Sequence, residues 1–247
     1  MCGIAGLIYR NGAAEGGHRI GSDMTRMLQS MKHRGPDSTG YALYRPPAEG
    51  YVMRVKLADS GTARDFDLPQ RLARDRRLVE ERMRELGARI ASVEGEHAEG
   101  LSVTFDYDGD LKALADRVED VSRDAEVLSI GHALEIVKDL GDAEAVCGRY
   151  GLDGFRGTHA IGHVRMATES DVDISGAHPY WAYPFSDVAV VHNGQLTNYH
   201  SWKRRLERAG HRFQSECDSE IIAVYLAEKM AEGLDLEAAM RQSLEEL

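Results

Sequence analysis

Apolar residues first gather at positions 4–9, a run that predicts a strand beginning just beyond Cys2 and Gly3. The glycine-rich stretch 11–17 reads as a turn. Met24, Met27, Leu28 and Met31 then fall at i, i+3, i+4 and i+7, which predicts a short amphipathic helix with Ser22 as its N-cap. These methionines read as core residues rather than ligands. Gly35-Pro36 breaks the helix and Asp37-Ser38 favours a turn. Residues 33–40 are therefore either a plain loop or a loop in which Arg34 and Asp37 are tied down beside a functional site. Residues 41–44 predict a second strand.

Between 51 and 141 the chain becomes richer in charge and in helical period. Residues 51–57 alternate as a strand. Leu72, Leu78, Val79, Met83 and Leu86 mark the apolar side of a helix over 69–86, with Gly87 just beyond its end. Strands are expected at 89–93 and 101–107, a second helix on Leu111, Leu114, Ala115, Val118 and Val121, and one or two extended runs over 127–137. The order β-α-β-β-α-β is that of a ferredoxin-like unit, so 51–141 is read as an inserted subdomain.

A short helix follows from 143. Residues 160–168 alternate as a strand, with Arg165 near its end and His159 and His163 on one face. Two histidines without a third ligand at suitable spacing do not make a metal site. A strand at 188–191 runs into His192-Asn193-Gly194, and Asn-Gly is a strong turn former. Helices are expected over 198–209, anchored by Trp202 and Leu206, from Asp218 as N-cap through Met230, and over 236–247. Ending on a helix is unusual for such a domain, and further strands are expected beyond residue 247.

The chain has 247 residues, 43% of them apolar, and a formal net charge of −11, which suits a soluble globular protein of one large or two small domains. That charge argues against nucleic acid or an anionic membrane as the main partner. Cys2, Cys147 and Cys217 are odd in number and far apart, so they form no disulfide framework and no C-x-x-C site. With no charged-then-apolar leader and no apolar run of membrane-spanning length, a cytoplasmic setting is expected.

The candidate chemistry begins at Cys2. Alone it reads as a strand residue ahead of an apolar run. If Met1 is removed, the same residue carries a thiol and a free α-amine, nucleophile and base on one carbon. Their ordinary pKa values, about 8.5 and about 7.7–8.0, already lie near neutrality.

Five motifs occur in order: Met1-Cys2-Gly3-Ile4-Ala5-Gly6, His33-Arg34-Gly35-Pro36-Asp37-Ser38-Thr39-Gly40, Gly162-His163-Val164-Arg165-Met166-Ala167-Thr168, His192-Asn193-Gly194-Gln195-Leu196-Thr197-Asn198 and Cys217-Asp218-Ser219-Glu220-Ile221-Ile222. Together they resemble the class II glutamine amidotransferases, N-terminal nucleophile hydrolases that split L-glutamine to glutamate and ammonia. The resemblance covers the chain except for 51–141. The insertion and the Thr168-Glu169-Ser170 continuation look most like the stand-alone amidotransferase subunits of glutamate synthase-like systems, including N-methylglutamate synthase. Many relatives carry Trp where this chain has Met166 and His where it has Glu169, so the carboxylate subsite or its covering loop differs in detail.

The resemblance implies an α+β fold, a four-layer αββα sandwich over residues 2–247 that carries the 51–141 insertion and is incomplete at its C-terminal strands. It implies Cys2 as nucleophile, the Asn193 side chain and Gly194 backbone N–H as oxyanion donors, and Arg165 with Thr168 at the substrate carboxylate. Asp218 would face the substrate ammonium, and Arg34 and Asp37 would support the loop near Cys2. No cofactor or metal is implied. The sequence has no Rossmann fingerprint, P-loop or iron–sulfur cysteine set, so the acceptor chemistry falls to a separate synthase subunit that receives the ammonia. The alternatives are an N-terminal nucleophile amidase for another amide, and a non-catalytic module that senses glutamine.

Overall fold

The computed structural model describes residues 2–10, 18–58, 67–95, 99–166 and 174–247. In chain order its elements begin with β1 (Gly3–Ile8), α1 (Ile20–Ser30), β2 (Ser38–Tyr44), β3 (Tyr51–Lys56), α2 (Leu68–Glu85) and β4 (Arg89–Glu94). Next come β5 (Gly100–Asp106), α3 (Leu111–Glu119), β6 (Glu126–Gly131), β7 (Leu134–Leu140) and α4 (Ala143–Tyr150). The last are β8 (His159–Arg165), β9 (Tyr180–Trp181), β10 (Ala189–Val190), α5 (Tyr199–Arg208), α6 (Glu220–Ala231) and α7 (Leu236–Glu246). The fold is α+β with antiparallel sheets.

The main sheet has the order β1-β8-β2-β7. Side chains alternate across a strand, and in β2 both faces are covered. Tyr41 and Leu43 pack with Met24 and Leu28 of α1 and Val146 of α4, whereas Ala42 and Tyr44 pack toward Trp181 and Ala189 of β9 and β10. This is why every residue of β2 is buried. Helix α6 lies against the β9–β10 ribbon, so the layers run helices, four-stranded sheet, two-stranded ribbon, helices. The expectation of two full sheets face to face is corrected to that extent among the described residues. Pro179 immediately precedes β9 and contributes no backbone N–H, so the ladder with β10 starts at Tyr180.

The second sheet has the order β4-β5-β3-β6 and buries one face against α2 and α3. Met53, Val55, Val103 and Phe105 meet Val79, Met83, Leu114 and Val118 in that core. The chain leaves this sheet at Gly131, and β7 joins the main sheet beside β2, although the sequence groups 127–137 with the inserted unit. Asp187 makes the turn between them, its carboxylate accepting the backbone N–H groups of His132, Ala133 and Leu134.

Two buried ionic groups join the sheets. Glu135 of β7, with no exposed side-chain surface, pairs with Arg45 and Arg54 and accepts from Ser102. Glu126 of β6 pairs with Lys56 at 2.8 Å and with Lys138 at 3.2 Å. Burial alone would raise the Glu126 pKa, but the ammonium groups of Lys138 and Lys56 outweigh it and take it from the ordinary 4.5 to about 2. A carboxyl depressed in the folded state adds stability that is full above its unfolded pKa and is lost as pH falls through the folded one. Glu126 should therefore contribute about 3 kcal/mol near neutrality, fading between the ordinary carboxyl range and pH ~2. Urea unfolding should show Glu126→Gln destabilised by that amount at pH 7, with the gap to wild type closing as pH drops through that window.

Candidate active site

Pairing of β1 with β8 sets Gly3 opposite Val164 and Ile4 opposite His163. Cys2, one residue ahead of β1, therefore falls beside the C-terminal end of β8. Its Sγ accepts the backbone N–H of Met166 at 3.5 Å. Gly35 lies so close to β8 that a Cβ there would come within 2.4 Å of the Val164 carbonyl carbon. That contact seats the 33–40 loop, and the Asp37 N–H donates to the Arg165 carbonyl at 3.1 Å. The Asp37 main chain is thereby tied to the end of β8. Arg34 is exposed and lies outside the cavity described next.

The cavity has a volume of about 560 Å³ and brings together Cys2, Arg165, Asn193, Gly194 and Asp218 from four separated stretches of sequence. Arg165, at the last position of β8, is only 6% exposed. Its guanidinium lies against Gly176, where a Cβ would come within 2.8 Å of Nη2, so glycine leaves the space the fork occupies. Asn193 donates its side-chain amide to the Cys2 carbonyl at 3.2 Å. The amide of the turn after β10 is therefore already at the thiol-bearing residue. Thr168 falls outside the described residues.

Two expected helix caps are corrected. Helix α1 begins at Ile20, with Arg19 in the cap position and Ser22 already inside the helix. Helix α6 begins at Glu220, and Asp218 does not cap it. The Asp218 carboxylate turns instead to the neighbouring segment and accepts the Leu196 N–H at 2.6 Å. The Glu220 carboxylate, buried, takes the N–H groups of Gln214 and Ser215 at 2.8 Å each. Asp218 lines the cavity, flanked there by Cys217 and Ser219.

Four histidines that the sequence does not single out for this role line the same cavity: His163, His178, His192 and His200. His163 and His178 stack with centroids 4.2 Å apart. Burial, with a smaller effect of nearby Arg165, brings the His163 pKa down to about 4, so its ring is neutral near pH 7. His163 and His192 each adjoin a recognised motif residue, a signal that was available. His178 sits in a stretch with no local pattern. His159, on the same face as His163, stacks on Tyr44 instead. A larger cavity of about 890 Å³ lies between the sheets, away from Cys2. Its guanidiniums from Arg45, Arg54 and Arg149 are engaged with Glu135 and Asp139.

Residues 163–240 match the model of a glutamine amidotransferase domain. A protein of Methanothermobacter thermautotrophicus described as a glutamine amidotransferase is 38% identical over the whole chain, which covers 78% of that relative. The glutamine amidotransferase-like protein GlxB of Rhizobium meliloti is 35% identical, again over the whole chain and 76% of the relative. Glutamine–fructose-6-phosphate aminotransferase of M. thermautotrophicus is 40% identical over 46% of this chain and 19% of its own length. Among solved structures, an allosteric regulatory enzyme of purine biosynthesis aligns over 80% of the chain at 20% identity and a TM-score of 0.40, with this chain spanning 33% of its length. On these two relatives, 38% and 35% identical over the whole chain, the chain belongs to the class II glutamine amidotransferases and is an enzyme of that activity.

Proposed function

We propose that the chain hydrolyses the side-chain amide of L-glutamine through a thioester on Cys2. The observation that carries this reading is the convergence of Cys2, Arg165, Asn193, Gly194 and Asp218 on one cavity. With Met1 removed, the Cys2 α-amine takes the thiol proton as Sγ attacks the amide carbon. The resulting oxyanion is held by the Asn193 side chain and the Gly194 N–H. The C–N bond then breaks, the ammonium form of the α-amine returns its proton to the departing ammonia, and water cleaves the thioester to glutamate and free thiol. Arg165 offers a planar fork to the α-carboxylate, Thr168 assists it, and Asp218 meets the α-ammonium. Asp37 and Arg34 support the loop behind Cys2.

The finer reading is a subunit that hands ammonia to a separate glutamate synthase-like partner, because ammonium in free solution is a poor nucleophile. In this reading the inserted ferredoxin-like subdomain, expected over 51–141, is taken as 51–131 because β7 pairs in the main sheet; the sheet order β4-β5-β3-β6 supports it, and it offers a docking surface for that partner. A cytoplasmic setting fits cysteines that remain thiols, and no described helix is long and apolar enough to cross a membrane.

Replacing Asn193 with alanine tests the oxyanion assignment. Loss of one such donor lowers kcat by roughly 10²- to 10³-fold, and because Arg165 and Asp218 remain, KM for glutamine should stay within a few-fold of wild type. Glutamate release measured across glutamine concentrations separates the two constants. A rise in KM at unchanged kcat would place Asn193 in substrate binding instead. A panel of other side-chain and peptide amides, run in parallel, distinguishes a glutamine-specific enzyme from a general amidase.

A further inference from the structure

We infer that His178 is a positioning residue for the Asn193-Gly194 turn, acting through His192. His178 is 3% exposed and held by ring contacts on two sides: it stacks on His163, and Tyr180 meets it edge-on at 4.8 Å. Its main chain is also fixed, since Gly40 of β2 lies so close that a Cβ there would fall 1.8 Å from the His178 carbonyl oxygen. From this rigid seat Nδ1 accepts the backbone N–H of His192 at 3.2 Å. A backbone N–H can only donate, so Nδ1 must carry a lone pair and the neutral ring must hold its proton on Nε2. That proton points at Cys217 Sγ, 3.8 Å away. Burial, reinforced by His163 and Lys138, holds the His178 pKa well below its ordinary value and keeps the ring in this form.

His192 is gripped a second time through its own ring, whose Nδ1 lies 2.8 Å from Ser219 Oγ. Ser219 adjoins Asp218, and Asp218 accepts from Leu196, just past the turn. The residue immediately before Asn193 is thus fixed by its main chain to His178 and by its side chain to the α6 end of the cavity. Donors to an oxyanion act only if they are placed before charge develops, and a displacement of about 1 Å can cost on the order of 10²-fold in rate. The His178 ring nitrogens face the His192 N–H and Cys217 Sγ, so its role in this inference is to set where Asn193 and Gly194 stand.

The test compares three variants by steady-state glutamate release. His178→Leu removes the acceptor and should lower kcat roughly 10- to 100-fold with KM for glutamine within about threefold. His178→Asn places its amide oxygen near the position of Nδ1 and should recover most of kcat. His178→Gln is larger and closer to the volume of histidine but carries its oxygen toward the Nε2 position, and should resemble Leu. Packing alone predicts the opposite order of the two amides, so Gln equal to or better than Asn overturns the inference, as does a loss confined to KM. The Asn and Gln comparison stands if the Leu variant fails to fold. The inference rests on Asn193 and Gly194 being the oxyanion donors. If that assignment fails, Asn193→Ala keeps its kcat; if only the present inference fails, Asn193→Ala is crippled while His178→Leu turns over normally.

Discussion

Cys2→Ala is expected to lose glutaminase turnover by on the order of 10⁴- to 10⁶-fold, the range seen when a covalent nucleophile is removed and only binding and oxyanion donors remain. The fold should be unchanged, because Cys2 lies ahead of β1 and only its Sγ and main chain reach across to Met166 and Asn193. Glutamine binding should also persist, since the cavity retains Arg165 and Asp218. The informative assay therefore pairs glutamate release with calorimetric titration of glutamine into the variant. Binding at near wild-type affinity with no turnover matches the account. Residual turnover within tenfold of wild type would remove Cys2 as nucleophile. A wild-type chain that binds glutamine and never hydrolyses it would instead support the sensing module.

The second large effect is expected at the two ends of the substrate. Arg165→Ala removes a guanidinium from a buried position at the end of β8. Truncating one side of a desolvated charge pair typically costs ~2–5 kcal/mol, so kcat/KM for glutamine should fall by roughly 10²- to 10³-fold, mainly through KM. Arg165→Lys should recover only a little, because an ammonium cannot reproduce the two parallel donors of the fork. Asp218 has two tasks, since its carboxylate also accepts the Leu196 N–H. Asp218→Asn separates them: an amide oxygen can still accept from Leu196, but the negative charge facing the substrate ammonium is gone. The account predicts a KM increase for Asn at unchanged thermal stability, and a larger defect with some loss of stability for Asp218→Ala. Equal stability and equal KM in all three would deny Asp218 a place at the ammonium.

Much of this site was legible before any coordinates. The relevant residues sit in short motifs whose chemistry is local: a cysteine next to the initiator, a turn-forming Asn-Gly at a strand end, an arginine at another strand end. Helices α2 and α3 were equally legible, because Val79, Met83, Leu114 and Val118 repeat at helical spacing on faces that are buried. The misread parts share a non-local cause. Asp218 and Ser22 are good capping types, yet the cap position falls one residue later, at Ser219, in α6 and three residues earlier, at Arg19, in α1. For Asp218 the competing partner, Leu196, lies on a different segment. β7 is buried on both faces and its sequence does not tell which sheet it joins; the turn that leads it to β2 is held by Asp187, far along the chain. His178 shows the limit most plainly, since its partners His163, His192 and Cys217 come from three other segments.

The central claim is that an N-terminal Cys2, with its own α-amine free, carries the γ-glutamyl group. Mass spectrometry of the purified chain, followed by acid quenching during glutamine turnover and peptide mapping, tests it most directly. The account predicts that Met1 is absent and that the quenched N-terminal peptide gains one γ-glutamyl group on Cys2. A chain that retains Met1 and still turns over at full rate, or a γ-glutamyl group carried by any other residue, would contradict it.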